Sequence, residues 1–412
     1  RRQMIDASIN IRGLNRFAVE NAGAVPAEAR APSTGKKVAI VGGGASGLSA
    51  AYYLSIMGHS VTIYEREDKL GGMLRFGIPN FRLPREILDD DIDTIISTGI
   101  EVHYGIEIGE EISILDLRKE YDAIYIAVGI HVDRRIWLQN QRPRGIISAI
   151  EALKLVENDE HQDLRDKSIV IIGGNNAAID TARSAIRLGA KKVRIIYRRR
   201  IEDMPATRKG IEAAIAEGCE ILDLSIVGKT ELDESGHIRD LWIKSQIVGD
   251  IQDGKPIEVH MGRDTQKVDC DLLIIAIAQG IEPQSFEGDG ISAMEGIIDI
   301  FDEGGIGNMP GIYAGGDCVS GPSTVVQAIA AGKMAAIDID DYLGYDHIIG
   351  PDIDIPSPHI YDRFSRGRVA MRQRDALDRT GDFELVEYGL TYEEAMQEVR
   401  RCFRCDHFGL IE

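Results

Sequence analysis

The chain has 412 residues, long enough for two to four domains at ~100–200 residues each. Hydrophobic residues at 44% and charged residues at 28% predict a soluble protein with a real core. The net charge of −20 argues against nucleic acid or an anionic membrane as partner. No apolar run approaches the ~18 residues of a membrane span, and nothing resembles a signal peptide. The 5 cysteines, odd and sparse, give no disulphide framework and suit a reducing cytoplasm. The 44 glycines follow no collagen-like period, so many tight turns are expected. The chain starts at Arg1 rather than a methionine, and upstream residues are expected to be missing.

Residues 1–35 read as an attached segment: "INIRGLNRFAVENA" is weakly helical and "GAVPAEARAPSTGKK" is a small-residue linker. "KKVAIVGGGASGLSAAYYLSIMGHSVTIYER" then gives a strand, a turn at Gly42, Gly44 and Gly47, a helix to about Met57, and a strand ending at Glu65. These glycines close the turn and let backbone approach a pyrophosphate, which rests on the helix N-terminus with Ala45 and Ser46. Glu65, followed by Arg66, stands where a carboxylate takes ribose hydroxyls. The bland reading is a glycine turn with a surface glutamate, which the strand–helix–acid context disfavours. The fingerprint alone does not separate FAD from NAD.

A second unit, "SIVIIGGNNAAIDTARSAIRLGAKKVRIIYRRR", repeats the pattern from Ser168, with its turn at Gly173, Gly174, Asn175, Asn176 and Ala177. Asn175 replaces the close-approach glycine. Asparagine tolerates a left-handed conformation best among non-glycine residues, so the turn is expected to form, with added bulk on the pyrophosphate's path. The second strand ends in Arg198, Arg199 and Arg200, which lack the acid that repels a 2′-phosphate and would bind one. NADP(H) is therefore favoured, against a solvated or subunit-facing basic patch. A third glycine cluster, "GIYAGGDCVSGPSTVVQAIAAGK", leads through Gly315, Gly316 and Asp317 into a helix.

Together "GIPNFRLP", "YRRR…MPA" and "GIYAGGD" resemble the FAD- and NAD(P)H-binding flavoproteins typified by the glutamate synthase small subunit, over roughly residues 5–345. The same module occurs in dihydropyrimidine dehydrogenase and in the electron-bifurcating ferredoxin–NADP transhydrogenase large subunit. The resemblance implies an α/β fold of two Rossmann-like domains, an FAD domain (36–150 and 285–345) with an inserted NAD(P) domain (151–284), and an extended C-terminal tail (346–412). It places FAD on the first fingerprint with Gly72, Met73, Arg82, Ile108 and Gly129. It also sets Gly316 and Asp317 at the ribityl and pyrophosphate, and Thr324 and Val325 beside the flavin ring. A helix N-terminus there would stabilise an anionic reduced flavin; the bland reading of Asp317 is a helix cap. The second unit is implied to bind the nicotinamide nucleotide, with Ala278 and Gly280 where the nicotinamide enters.

No C-x-x-C lies near the FAD motifs, so a disulphide-reductase mechanism is not expected, and Cys219, Cys270 and Cys318 read as buried. His131, His237 and His260 read as surface residues. No catalytic side chain is needed, because the flavin carries the chemistry. In the tail, Cys402 and Cys405 form a C-x-x-C with His407 beyond. This is half an iron–sulfur or zinc site, to be completed by a partner or a missing segment, or else a reduced surface pair. The expected protein is a cytoplasmic oxidoreductase subunit passing a hydride between NAD(P)H and FAD, with iron–sulfur partner subunits. A self-contained flavoenzyme and a flavin-holding scaffold with an inactive second site remain as alternatives.

Overall fold

A computed structural model describes the chain except residues 1, 24–27, 131, 134–142, 253–254, 278, 281–285, 287, 295, 301–304, 307–308, 349, 351–364, 366 and 404–412. It divides into two compact units, one of Glu28–His347 with Ala376–Glu384, the other of Arg1–Ala27, Ile348–Asp375 and Leu385–Glu412.

The larger unit contains two parallel five-stranded sheets that share the connectivity of four strands and differ in the fifth, which comes last in the first sheet and first in the second. The first holds β1 (Lys37–Val41), β2 (Ser60–Glu65), β3 (Glu101–Tyr104), β4 (Ala123–Ile126) and a late strand, Ile312–Ala314. Its order is Ile312–Ala314, β4, β1, β2, β3. The second sheet holds β5 (Ile146–Ser148), β6 (Ser168–Ile172), β7 (Lys192–Ile196), β8 (Glu220–Leu222) and Leu272–Ile275, in the order β5, Leu272–Ile275, β6, β7, β8. In the first sheet the chain starts at the central β1, steps outward twice, then returns to the other side at β4 and Ile312–Ala314. In the second it enters at the edge strand β5, then runs the same course from the central β6 through β7 and β8 to Leu272–Ile275 on the other side. That reversal opens a crevice at the carboxyl ends of the central strands, the place where open α/β sheets bind ligands.

The strands read as β-branched runs because both faces are covered. Val38, Ala39 and Ile40 in β1, and Val170 and Ile171 in β6, are fully buried. Helix α1 (Ala45–Ile56) follows β1, and α2 (Asn176–Arg187) follows β6. Helix α1 is apolar nearly all round because it lies between its sheet and a long helix, α3 (Val325–Tyr342). The α1–α3 crossing is close: a Cβ on Gly332 would overlap the Ser46 carbonyl oxygen, and Ser49 Oγ donates to the Ile329 carbonyl at 2.8 Å. An antiparallel three-stranded sheet (Ser225–Leu232, Ile238–Gln252, Lys255–Asp269) is inserted before Leu272–Ile275.

The smaller unit brings both ends of the chain into one core. Leu14 and Phe17, from the helix Ile11–Asn21, pack with Met371, Leu390 and Ala395. The fully buried Glu398 accepts the Asn10 amide at 2.7 Å and the Val369 amide at 2.8 Å, and pairs with the buried Arg401. Arg401 in turn binds Asp6 at 2.9 Å and the Ala7 carbonyl at 2.6 Å. Among the described residues no helix is long and apolar enough to cross a membrane.

Candidate functional site

The first turn is open. Gly42 has φ +101, and a Cβ there would meet the Ala127 carbonyl oxygen at 2.6 Å, so only glycine joins β1 to α1 against β4. Gly47 lies so close to the Gly42 carbonyl that a Cβ would overlap it, which locks helix to strand. Gly44 is different. It is the N-cap of α1 with extended backbone and no side-chain cap, and a Cβ there would find nothing nearer than Gly72 Cα at 3.9 Å. The first N–H groups of α1 therefore face open space, the arrangement that receives a phosphate.

The surrounding residues converge on this space. Glu65 is buried at the end of β2 and accepts the Gly43 amide at 2.8 Å and the Glu67 amide at 2.9 Å. Burial raises its pKa against those two lowering hydrogen bonds. Gly72 has φ +49 and faces Gly44, while Met73 opens the short helix Met73–Phe76. Gly316 adopts φ +78 and ψ −158, a region left to glycine, and a Cβ there would meet Ser46 Cβ at 2.9 Å. The late "AGGD" turn thus returns to the first fingerprint from more than 260 residues away in sequence. Asp317 accepts from Ser323 Oγ at 2.5 Å, and Thr324 caps α3 in a reciprocal pair with Gln327, with Val325 partly exposed beside it. Gly129 has φ +66 just beyond β4. Arg66 lies at the surface near Glu67 and Glu107. Ile108 is core, packed with Tyr64 and Ile126.

Arg82 makes a long-range pair. Its guanidinium pairs with Asp180, which is on α2 in the second unit. The neighbouring Phe81 packs under the guanidinium groups of Arg183 and Arg187 at 4.6 and 4.0 Å. Those two arginines and Arg379 surround the buried Glu217, each at 2.7 Å. The "FRLP" segment is therefore tied to the helix that opens the second turn. Burial raises the Asp180 pKa to about 6, with Arg82 opposing the shift.

The second turn is built alike but closed differently. A Cβ on Gly173 would overlap the Ala276 carbonyl, and a Cβ on Gly174 would meet the Tyr197 ring at 2.6 Å. Asn175 is not left-handed: φ is −87 and ψ 178, close to the extended backbone of Gly44. The expectation of a left-handed Asn175 is thereby corrected. This position is the helix N-cap, whose backbone any residue adopts, and asparagine serves there as a capping side chain. Its Oδ1 accepts the Ala178 amide at 2.9 Å. Asn176 Oδ1 accepts the Thr207 amide at 3.0 Å, the Ala206 amide donates to Gly174 at 3.0 Å, and Ala177 sits in the first turn of α2.

Strand register fixes the acid position. The Gly42 amide donates to Tyr64 and the Gly173 amide to Ile196, so Glu65 in the first unit corresponds to Tyr197 in the second. Arg198 follows, exposed, then Arg199, half-buried; Arg200 pairs with Asp203 at 3.0 Å. Gly280 pairs with Val132 on a short two-stranded ribbon. Ala278, Cys405, His407 and His131 lie outside the described residues, and Cys402 is half-buried after the helix Tyr392–Val399.

Two groupings have no local sequence signal. Tyr125, fully buried in β4, hydrogen-bonds Ser46 Oγ at 2.7 Å. His59 and His347 each bond Asp340 Oδ1 at 2.8 Å, tying the end of α1 to α3. Cys219, Cys270 and Cys318 are buried, and burial pushes each thiol up to about 12, unsuited to thiolate chemistry. A cavity of about 320 Å³ beside Phe76, Ile78, Pro79, Leu153 and Phe383 includes no residue of either glycine turn.

Residues 36–332 match the sequence profile of the pyridine nucleotide-disulphide oxidoreductases. The chain belongs to this family. It is 32% identical to the NADP(+)-dependent formate dehydrogenase subunit beta of Moorella thermoacetica, over 100% of this chain and 64% of that protein. It is 31% identical to the NADPH-Fe(3+) oxidoreductase subunit beta of Geobacter sulfurreducens, over 98% and 67%, and 32% identical to the glutamate synthase [NADPH] small chain of Escherichia coli, over 75% and 69%. The chain thus spans about two thirds of the first two relatives' length. The fold is shared with Mycobacterium tuberculosis FprA in complex with NADPH, at a TM-score of 0.65 and 16% identity over 75% of this chain and 85% of that one. It is also shared with Lactococcus lactis thioredoxin reductase, at 0.58 and 20% over 75% and 99%.

Proposed function

We propose that the chain is the FAD- and NADP(H)-binding part of an electron-transfer oxidoreductase subunit. The observation that carries this reading is the pair of dinucleotide turns with contrasting ends, Glu65 in the first and Tyr197–Arg198–Arg199 in the second. The first fits FAD: the uncapped α1 N-terminus and the space beside Gly44 take the pyrophosphate, and Glu65 takes the ribose hydroxyls. Gly316, Asp317 and the capped N-terminus of α3 close the same site from the far end of the chain. In the second turn no carboxylate opposes a 2′-phosphate at the Tyr197 position, and Arg198 and Arg199 supply cations for one.

FAD, when bound, supplies the hydride-accepting and electron-releasing chemistry. The protein's residues hold and orient the two dinucleotides and exclude water. The docking of Phe81 and Arg82 on α2 fixes one nucleotide unit against the other. The relatives named above are beta subunits and a small chain, which supports assembly with partner subunits. We assign the one-electron exit to iron–sulfur partners, with Cys402 and Cys405 supplying ligands that a partner or further segment completes.

The test is anaerobic titration of the purified chain. One FAD per chain, bleached by one equivalent of NADPH and reoxidised by a one-electron acceptor, is expected. Flavin-free protein reconstituted with FAD that no nicotinamide nucleotide reduces would refute the reading.

A further inference from the structure

In the first turn the phosphate-facing position is Gly44, which leaves the helix N–H groups uncovered. In the second it is Asn175, whose Oδ1 already occupies the Ala178 amide at 2.9 Å. The carboxamide oxygen must be the atom facing that N–H, because the amide nitrogen is itself a donor. The Nδ2 group is then turned away from the helix. It makes no hydrogen bond to any described residue, and Asn175 is only half-buried. An amide with idle donors thus stands before the second turn, where the loop Asp203–Thr207 is pinned to Gly174 and Asn176 and closes the flank.

Resting on the nicotinamide-site reading, we infer that Asn175 is a phosphate-positioning residue: its Oδ1 caps α2 while its Nδ2 donates to the nucleotide's pyrophosphate. The second site grips its ligand through this side chain, where the first uses bare helix N–H groups. The added bulk that departs from the glycine fingerprint is itself the contact.

Asn175→Asp is the discriminating change. Aspartate caps a helix as well as asparagine, so the fold and FAD content should be unchanged. It replaces the donor with a charge that repels pyrophosphate, and should weaken NADPH binding by at least roughly thirty-fold, read by calorimetry on the FAD-loaded protein. Asn175→Gly frees the Ala178 N–H, recreating the first turn, and should stay within about ten-fold of the unaltered protein. NADPH binding by Asn175→Asp within about three-fold of the unaltered protein would overturn the inference. So would equal losses in both variants, which would trace the effect to the shape of the turn. Failure of the unaltered protein to bind NADPH would instead refute the nicotinamide-site reading, and this inference with it.

Discussion

Gly44→Val and Gly47→Ala separate binding from folding at the first turn. The backbone of Gly44 is extended, and a Cβ there would be 3.9 Å from its nearest neighbour, so the ligand-free fold accepts a side chain. The loss of a favourable N-cap should destabilise it by only about 0.5–1 kcal/mol. Valine would nevertheless fill the space in front of the α1 N–H groups. Losing two charge-assisted hydrogen bonds of about 1.5–3 kcal/mol each predicts FAD binding weaker by about 3–6 kcal/mol, roughly 10²–10⁴-fold. Gly47→Ala does the opposite. Its Cβ would overlap the Gly42 carbonyl and approach Ile40 Cγ2 to 3.2 Å, forcing helix and strand apart at about 1–3 kcal/mol or more. Thermal unfolding of the flavin-free proteins and FAD titration by fluorescence quenching measure both quantities. Stoichiometric FAD in Gly44→Val, or flavin-free Gly44→Val as destabilised as Gly47→Ala, would refute the assignment.

Removing Arg198 and Arg199 together should weaken NADPH by about 1–3 kcal/mol and leave NADH nearly unchanged; equal losses in nucleotide titrations would make them a general basic patch. Asp180 has a folded-state pKa of about 6, above its ordinary 3.8, so the folded state binds the proton more tightly and Asp180's contribution to stability falls as pH rises from about 4 to 6. Asp180→Asn should flatten that part of the unfolding profile, and an unchanged difference across the window would contradict the burial argument. Replacing Cys402 and Cys405 by serine should lower metal content and uncouple NADPH oxidation from the partner without slowing flavin reduction. Unchanged metal and unchanged transfer would leave them as ordinary thiols.

The duplicated βαβ architecture was legible because its signals are local: β-branched strands, glycines at fixed spacing and Glu65 at a strand end. The fate of Asn175 was not. Asparagine's tolerance of a left-handed backbone is not what the position draws on, because Gly44 and Asn175 are both extended; the close approach that the fingerprint's second glycine allows is a matter of room in front of the helix. Tyr197 as the counterpart of Glu65 emerges only from strand register, since the arginines that follow dominate the sequence pattern. The pairing of Arg82 with Asp180 spans 98 positions and has no local signal. The joining of the two chain ends through Asn10 and Glu398 spans 388 positions and has no periodic signature. Residues 345–395 carry no hydrophobic period, and among those described the order comes from scattered apolar side chains such as Met371 and Leu390 and from individual polar contacts such as Val369 with Glu398.

On the proposed reading, the second turn delivers NADPH's electrons to FAD held by the first. Anaerobic stopped-flow absorbance of the FAD-loaded protein, mixed in turn with NADPH and NADH, tests it most directly. Single-turnover flavin bleaching is expected with NADPH at lower nucleotide concentration than with NADH. Preference for NADH would contradict the role given to Arg198 and Arg199, and no bleaching with either would make the protein a flavin-holding scaffold.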